Sequence, residues 1–403
     1  MGEEEARAAA GVIMSGWVTQ GPKVREFEEA FASYVGSRHA CAVSSCTTAL
    51  HLALKVVGVG PGDIVVTVSH SFIATANSVR HAGAEPAFVD IDPLTYNMRP
   101  DGLEKFLRTR CRARGGRLYF EKPAKPESGC PGAGQGRVSA ILAVHQMGMP
   151  CDMKSILAIA KRFGLPVVED AACAAGSELS LDGGRTWKKI GAPHGAVACF
   201  SFHPRKVLTT GDGGMLTTNK AGYDRKFRLL RQHGMSVTDL ERHAAKKVIF
   251  ERYQVTGYNY RMTDIQAAVG IEQLKKMDRM IEDRERIDGL YRKHLSGISW
   301  LGLPYRPDYA RANWQSYPVR VLKGSPGSRD RLMQSLFEGG IATKPGIMNA
   351  HAERPYPARV FDLEESERAR KEVMLLPVYH GLAEADIKFI AKMLVKVGTA
   401  GKS

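Results

Sequence analysis

No stretch of this chain is long and apolar enough to cross a membrane as a helix, and no apolar run follows the acidic start Met1-Gly2-Glu3-Glu4-Glu5, where a secretion signal would be basic. A cytoplasmic location is therefore the expectation. Cysteine is scarce. The seven residues Cys41, Cys46, Cys111, Cys130, Cys151, Cys173 and Cys199 are odd in number and form no Cys-x-x-Cys pair. That excludes a disulfide framework and a zinc ribbon, and no metal site is expected. Acidic side chains are in deficit, 42 against 57 basic ones, which leaves a formal charge of +15. Such an excess suits anionic partners: nucleic acid, nucleotides or phosphate esters. No zinc finger, RNP-type aromatic motif or helix-turn-helix signature accompanies it, so nucleic-acid binding is not expected. Internal repeats and long low-complexity tracts are also missing.

What is present is an alternation of short apolar runs with helical patterns over the first two-thirds of the 403 residues. This is the mark of an α/β fold with parallel strands and crossover helices. Strands are predicted at 39–43, 64–68, 86–90, 140–144, 166–169, 196–202 and 215–218, and helices at 24–35, 48–57, 73–81, 103–110 and 153–163. Residues 111–137 break the rhythm with Gly, Pro, Lys and Arg and read as a long basic surface loop or insertion. One long helix is predicted from 261 to 295, then a strand at 317–322 and helices at 329–337 and 384–397. A boundary near residue 280 would divide a large unit, 1–280, from a smaller C-terminal α/β unit, 281–403.

The polar residues of interest gather where predicted strands end, the edge at which doubly wound sheets bind ligands. Ser44, Ser45, Cys46 and Thr47 follow the first strand and open a helix, as an ordinary cap or as an anion site. His70, Ser71 and Phe72 follow the second strand. Phe72 reads as a core aromatic or as a cover for a flat ring. His145 ends another strand and is either a satisfied interior histidine or a donor to a ligand oxygen. Asp170 ends the next, and a buried carboxylate needs a partner. Ser201 and Lys206 follow the strand after it, ahead of Gly211, Gly213 and Gly214. A lysine that can form an imine and an aspartate that can face a pyridinium nitrogen are the two protein groups that pyridoxal phosphate chemistry most needs. The Ser201 hydroxyl would hold the phosphate while the Lys206 amine reaches the aldehyde.

Together these segments resemble the DegT/StrS-type sugar aminotransferases, within the fold type I pyridoxal-phosphate enzymes. The resemblance is carried by Phe72-Ile73-Ala74-Thr75-Ala76-Asn77, Glu169-Asp170-Ala171-Ala172, Ser201-Phe202-His203-Pro204-Arg205-Lys206, Thr209-Thr210-Gly211-Asp212-Gly213-Gly214 and Gly257-Tyr258-Asn259-Tyr260-Arg261. Segments 16–22, 49–54, 88–92 and 144–153 add to it. It implies a mostly parallel seven-stranded sheet between helices and a smaller C-terminal α/β domain. Lys206 matches the lysine that forms the internal aldimine, and Asp170 matches the partner of the pyridine nitrogen. Ser201 and the Cys46-Thr47 turn match phosphate contacts, and Phe72 looks like the aromatic stacked on the cofactor. Asn259 matches a residue that reaches the phosphate from the neighbouring subunit, which implies a homodimer with shared active sites. The implied chemistry moves an amino group from glutamate or glutamine, by way of pyridoxamine phosphate, to a keto-sugar, nucleotide-linked by expectation, or to a keto-cyclitol. Relatives that dehydrate sugars carry His at the Schiff-base position, so Lys206 argues against that activity. This chain departs from the pattern with Cys173 where the family commonly has Gln, with Cys46 at a usual Gly, and with the long 111–137 connection. Acceptor contacts are expected from loops, with His351 and Tyr356 as candidates.

Overall fold

The structure, a computed structural model, describes residues 1–121, 136–237, 248, 250–356 and 361–400. The strands of its main sheet are β1 (His39–Val43), β2 (Ile64–Val68), β3 (Glu85–Val89), β4 (Cys111–Arg114), β5 (Arg117–Phe120), β6 (Gly136–Val144), β7 (Val167–Asp170), β10 (Val197–Ser201) and β11 (Gly214–Thr218). Two short strands, β8 (Glu178–Leu179) and β9 (Lys188–Lys189), lie outside it. The central order is β1-β11-β10-β7-β6-β2-β3. Neighbours from β10 to β3 pair in parallel, and β11 runs against both β1 and β10. This is the expected mostly parallel seven-stranded sheet.

Successive side chains on a strand face opposite layers. Ile64, Val66 and Val68 accordingly join one apolar cluster while Val65 joins the other. The first cluster packs α2 (Pro22–Val35) and α6 (Met153–Phe163) on one face through Phe27, Phe31 and Ile156. The second packs α3 (Cys46–Val57) and α7 (Ala221–Arg231) on the other through Leu50, Leu54 and Phe227. With both faces covered, β2 reads as the continuous apolar run Ile-Val-Val-Thr-Val, buried at every position.

Two expectations are corrected. The helix foreseen over 261–295 is two helices, α8 (Asp264–Lys275) and α9 (Met277–Leu295), separated at Lys276. Ala267 and Ile271 of α8 serve the first core, whereas Ile287, Tyr291 and Leu295 of α9 serve a third cluster, so the axis must turn between them. Part of the foreseen loop at 111–137 is a hairpin, β4–β5, added antiparallel to the start of β6. Its turn is Gly115-Gly116, with φ of 55° and 72°, the paired left-handed residues that a two-residue hairpin turn demands. Residues 122–135 of that insertion lie outside the described residues.

A second, antiparallel sheet has the order β12 (Leu301–Gly302), β14 (Tyr317–Val321), β16 (Val373–Leu376), β15 (Lys344–Pro345). It packs on α9, α10 (Arg329–Glu338) and α12 (Glu384–Ala400) around Tyr291, Tyr317, Leu336 and Leu394. Strand β13 (Ala310–Arg311) leaves this unit to pair with β8, so residues 311–316 return to the edge of the first unit.

Candidate active site

Gly214 organises one side of the site. It pairs with Val43 at the end of β1 and with Ser201 at the end of β10, so the turn that opens α3 and the Ser201 loop become neighbours. A side chain at Gly214 would put its Cβ 2.4 Å from the Ser45 carbonyl carbon and 2.7 Å from the Cys46 nitrogen. The turn therefore rests directly on glycine backbone. Ser45 caps α3: its Oγ accepts from the Thr48 amide at 3.2 Å, and Thr48 Oγ1 accepts from the Ser45 amide at 3.1 Å. Cys46 and Thr47 supply the first-turn amides that a helix leaves without an intrahelical partner, at the positive end of its dipole. The Cys46 side chain turns inward, its thiol buried against the Cys199 carbonyl at 3.6 Å, which accommodates Cys at the usual Gly position. Thr47 and Ser201 are half-buried.

Asp170 closes β7 between Val144 and Cys199. It is 4% exposed, and Thr75 Oγ1 donates to its Oδ2 at 2.8 Å while the Ala172 amide donates to Oδ1 at 3.2 Å. Burial pushes its pKa up, against the pull of these donors and of Lys206. Lys206 lies on the loop after β10, and its Nζ donates to Cys173 Sγ at 3.0 Å. Burial alone would pull the amine's pKa down, but Cys173, Cys46 and Asp170 outweigh it and the net shift is upward. Lys206 thus bonds Cys173, just beyond Asp170, while Cys46 lies against Cys199, the strand partner of Asp170. Phe72, between β2 and α4 (Ala74–His81), is 64% exposed, so it is not a core aromatic. Asn259 is also exposed, bridged antiparallel to Gln232, with Arg261 Nε donating to its side chain at 3.3 Å. Next to it, the Tyr260 carbonyl accepts from the Ser44 amide at 2.8 Å, which braces this segment on the α3 turn.

His145 is the satisfied interior histidine of the two readings. Its Nδ1 accepts from the Cys151 amide at 3.0 Å, which leaves the proton on Nε2 to bond Glu169 at 3.1 Å. No ring nitrogen remains for a cofactor oxygen, and that expectation is corrected. Burial works against charge on Glu169, yet His145 and His194 outweigh it and hold the carboxyl down at about 2. His351 and Tyr356 are likewise engaged. His351 bonds Ser69 at 2.6 Å and Glu367 at 2.7 Å, and Tyr356 donates to Asn77 at 2.7 Å. Three functional neighbours escaped sequence reasoning. Thr75, which holds Asp170, sits in a segment singled out for Phe72, whereas Asn313 and Gln315 reach the site from more than 100 residues away with no motif to flag them.

Of the described cysteines, only Cys173 is not buried. Iodoacetamide is expected to alkylate Cys173 before any other described thiol, and prior addition of pyridoxal phosphate is expected to slow it. Peptide mass mapping checks this, with a Cys41 or Cys199 label appearing first as the contrary result.

Solved structures share this arrangement of strands. The DegT DnrJ EryC1 StrS aminotransferase from Brucella abortus matches with a TM-score of 0.82 and 29% identity, over 98% of this chain and 95% of that one. DesV from S. venezuelae matches with a TM-score of 0.80 and 29% identity, over 100% and 95%. The architecture is thus that of the fold type I pyridoxal-phosphate aminotransferases. The DegT/DnrJ/EryC1/StrS aminotransferase family profile matches residues 1–395, and this chain belongs to that family. Among sequence relatives, the spore coat polysaccharide biosynthesis protein SpsC of Bacillus subtilis is 36% identical over 394 residues, covering 96% of this chain and 92% of the relative. GDP-perosamine synthase of Caulobacter vibrioides is 36% identical over 386 residues, covering 94% and 92%. The protein is a pyridoxal-phosphate-dependent aminotransferase. The residues present fit that cofactor: Asp170 is a buried carboxylate that forms no ion pair with a described residue, and the Gly214-supported turn offers unbonded amides.

Proposed function

We propose that the protein transfers an amino group from glutamate or glutamine to a nucleotide-linked keto-sugar in two half-reactions. What supports this reading is that the Lys206 amine donates to Cys173, just beyond the buried Asp170 carboxylate that closes β7. When bound, pyridoxal phosphate supplies an electron-accepting ring that stabilises negative charge at the reacting carbon. Lys206 Nζ, once free, takes a proton from the α-carbon of the donor and later returns one to the acceptor, as general base and then general acid. Asp170, fixed by Thr75 and Ala172, would pair its carboxylate with the ring nitrogen. The Cys46 and Thr47 amides and the Ser201 hydroxyl would hold the phosphate, and Phe72 would pack on the ring. In a homodimer the partner subunit's Asn259 completes the phosphate site. Residues 1–280 carry the cofactor contacts in this reading, and 281–403 lend Asn313 and Gln315. No helix among the described residues is long and apolar enough to cross a membrane, and the proposed setting is cytoplasmic.

A net charge of +15 suits a diphosphate acceptor, as does a relative named for a GDP-sugar. Arg205 stands one residue before Lys206, exposed, and its guanidinium forms no ion pair with a described residue. Arg205→Ala is expected to raise KM for the nucleotide-linked acceptor about tenfold or more and to leave KM for glutamate within about twofold, from the worth of a charge-assisted phosphate contact. Equal acceptor KM in both proteins would remove Arg205 from that role. The functional reading itself is tested by incubation with glutamate and a panel of keto-sugar nucleotides. 2-Oxoglutarate is expected to form in equal amount with an aminated sugar, whereas a deoxygenated sugar without 2-oxoglutarate would make the protein a dehydratase.

A further inference from the structure

We propose that Cys173 is a positioning residue for Lys206: its sulfur holds the amine during the part of each half-reaction in which that amine is free. This rests on the reading of Lys206 as the reacting amine.

Lys206 Nζ donates to Cys173 Sγ at 3.0 Å, so the sulfur lies within hydrogen-bond reach of the amine. Both ends of this contact are tied to one strut. On the sulfur side, Asn313 Nδ2 donates to the carbonyls of Cys173 at 2.9 Å and Ala175 at 2.7 Å. On the amine side, Gln315 Oε1 accepts from the Val207 amide at 2.9 Å and Gln315 Nε2 donates to the Arg205 carbonyl at 2.5 Å, so the residues flanking Lys206 are both held. The Gln315 amide in turn bonds Asn313 Oδ1 at 2.9 Å, which links the two grips.

The strut is rigid and strained. Trp314, between the two residues, has φ of 50°, which a non-glycine residue keeps only when its surroundings enforce it. Arg284 Nη1 fixes the Trp314 carbonyl at 2.7 Å, and Ser177 Oγ accepts from the Asn313 amide at 3.1 Å. Gly148, at φ 95°, would place a Cβ 2.0 Å from Asn313 Oδ1, so the 146–149 turn closes on the strut as well. This investment of structure aligns one sulfur with one amine.

The chemistry suits a resting place. A thiol is a weak acceptor, so it orients the ammonium or amine without trapping it in the ion pair that a carboxylate would form. Among the described residues the side chain bonded to the amine is Cys173, and with Asp170 at the end of β7 it favours the charged form against the effect of burial. Loss of the sulfur therefore lowers the pKa of the free amine and lets the side chain wander between steps.

The test compares Cys173→Ala, Cys173→Ser and Lys206→Ala. In cofactor-free protein, competitive acetylation of Lys206 as a function of pH, read by peptide mass, gives the pKa of its amine. Cys173→Ala is expected to shift it down, because the amine loses the partner that favours its charged form. In holoenzyme the same variant is expected to lower kcat about tenfold at unchanged KM for glutamate and unchanged Tm, with the fall shared by both half-reactions. Cys173→Ser, which restores an acceptor, is expected to recover most of both losses. Cys173→Ala with the acetylation profile and kcat of the unaltered protein would overturn the assignment. A Cys173→Ala loss that Cys173→Ser fails to recover at all would also overturn it. Lys206→Ala separates the levels. If that variant still transaminates, the functional reading fails. If it is inactive while Cys173→Ala is unchanged, only the positioning role fails.

Discussion

Lys206→Ala is expected to lose transamination by about 10⁴-fold or more, the scale on which removal of a reacting side chain is felt. No neighbour can take over its work. The groups that act on its charge are Cys46, Asp170 and Cys173. Asp170 is bound by Thr75 and Ala172, and Cys46 is buried against the Cys199 carbonyl. Cys173 faces the amine, but its thiol has no lone nitrogen pair with which to form an imine. The fold should survive, because the lysine is half-buried and its side chain makes a single described hydrogen bond, to a sulfur. The measurement is 2-oxoglutarate release from glutamate together with thermal unfolding. Ordinary turnover by a folded variant would remove Lys206 from its role.

Gly214→Ala is expected to weaken the site without touching a reacting group. The added Cβ would meet the Ser45 carbonyl carbon at 2.4 Å, its oxygen at 2.5 Å and the Cys46 nitrogen at 2.7 Å. All three are backbone, so no side chain can swing aside. Relief requires opening the β1–β11 pairing at Val43 or displacing the capped turn between Ser45 and Thr48. Overpacking of this kind costs about 1–3 kcal/mol, and here it falls on the proposed phosphate site. Cofactor affinity is expected to fall about tenfold or more, together with a lowered Tm, since about 1.4 kcal/mol corresponds to each factor of ten. A useful control is Gly289 in α9, where a Cβ meets nothing within 4 Å. Gly289→Ala is expected to be neutral or slightly stabilising, in line with alanine's helix propensity. Unchanged cofactor titration and Tm for Gly214→Ala would show that the turn does not depend on close approach at that residue.

Much of the fold is legible in the sequence because its strands are short, buried and punctuated. The strands His39–Val43 and Ile64–Val68 and the helix Met153–Phe163 have their expected bounds. Their limits are set locally, by apolar runs and by turn or cap residues. The break at Lys276 is not local. It follows from two cores competing for one helical pattern, which only the assembled fold reveals. The hairpin turn at Gly115-Gly116 did leave a signal, but its strands carry Arg112, Arg114 and Arg117, and their charge resembled that of a surface loop.

The site divides in the same manner. Asp170 closes one of two neighbouring parallel strands and Lys206 follows the other, both in recognisable segments, so the topology brings those segments to one edge of the sheet. The two open readings of His145 and Phe72 turn on burial, which one residue's neighbours in sequence do not reveal. The structure places the two oppositely, with His145 buried and hydrogen-bonded and Phe72 exposed. Asn313 and Gln315 left no pattern at all, because their role lies in side-chain bonds to carbonyls and amides 108 to 140 residues away in sequence.

Holoenzyme reduced with borohydride and digested should yield one peptide bearing the mass of the reduced cofactor, and fragmentation should place that mass on Lys206. A label on any other lysine, or an unlabelled Lys206 in protein that turns over, would contradict the account.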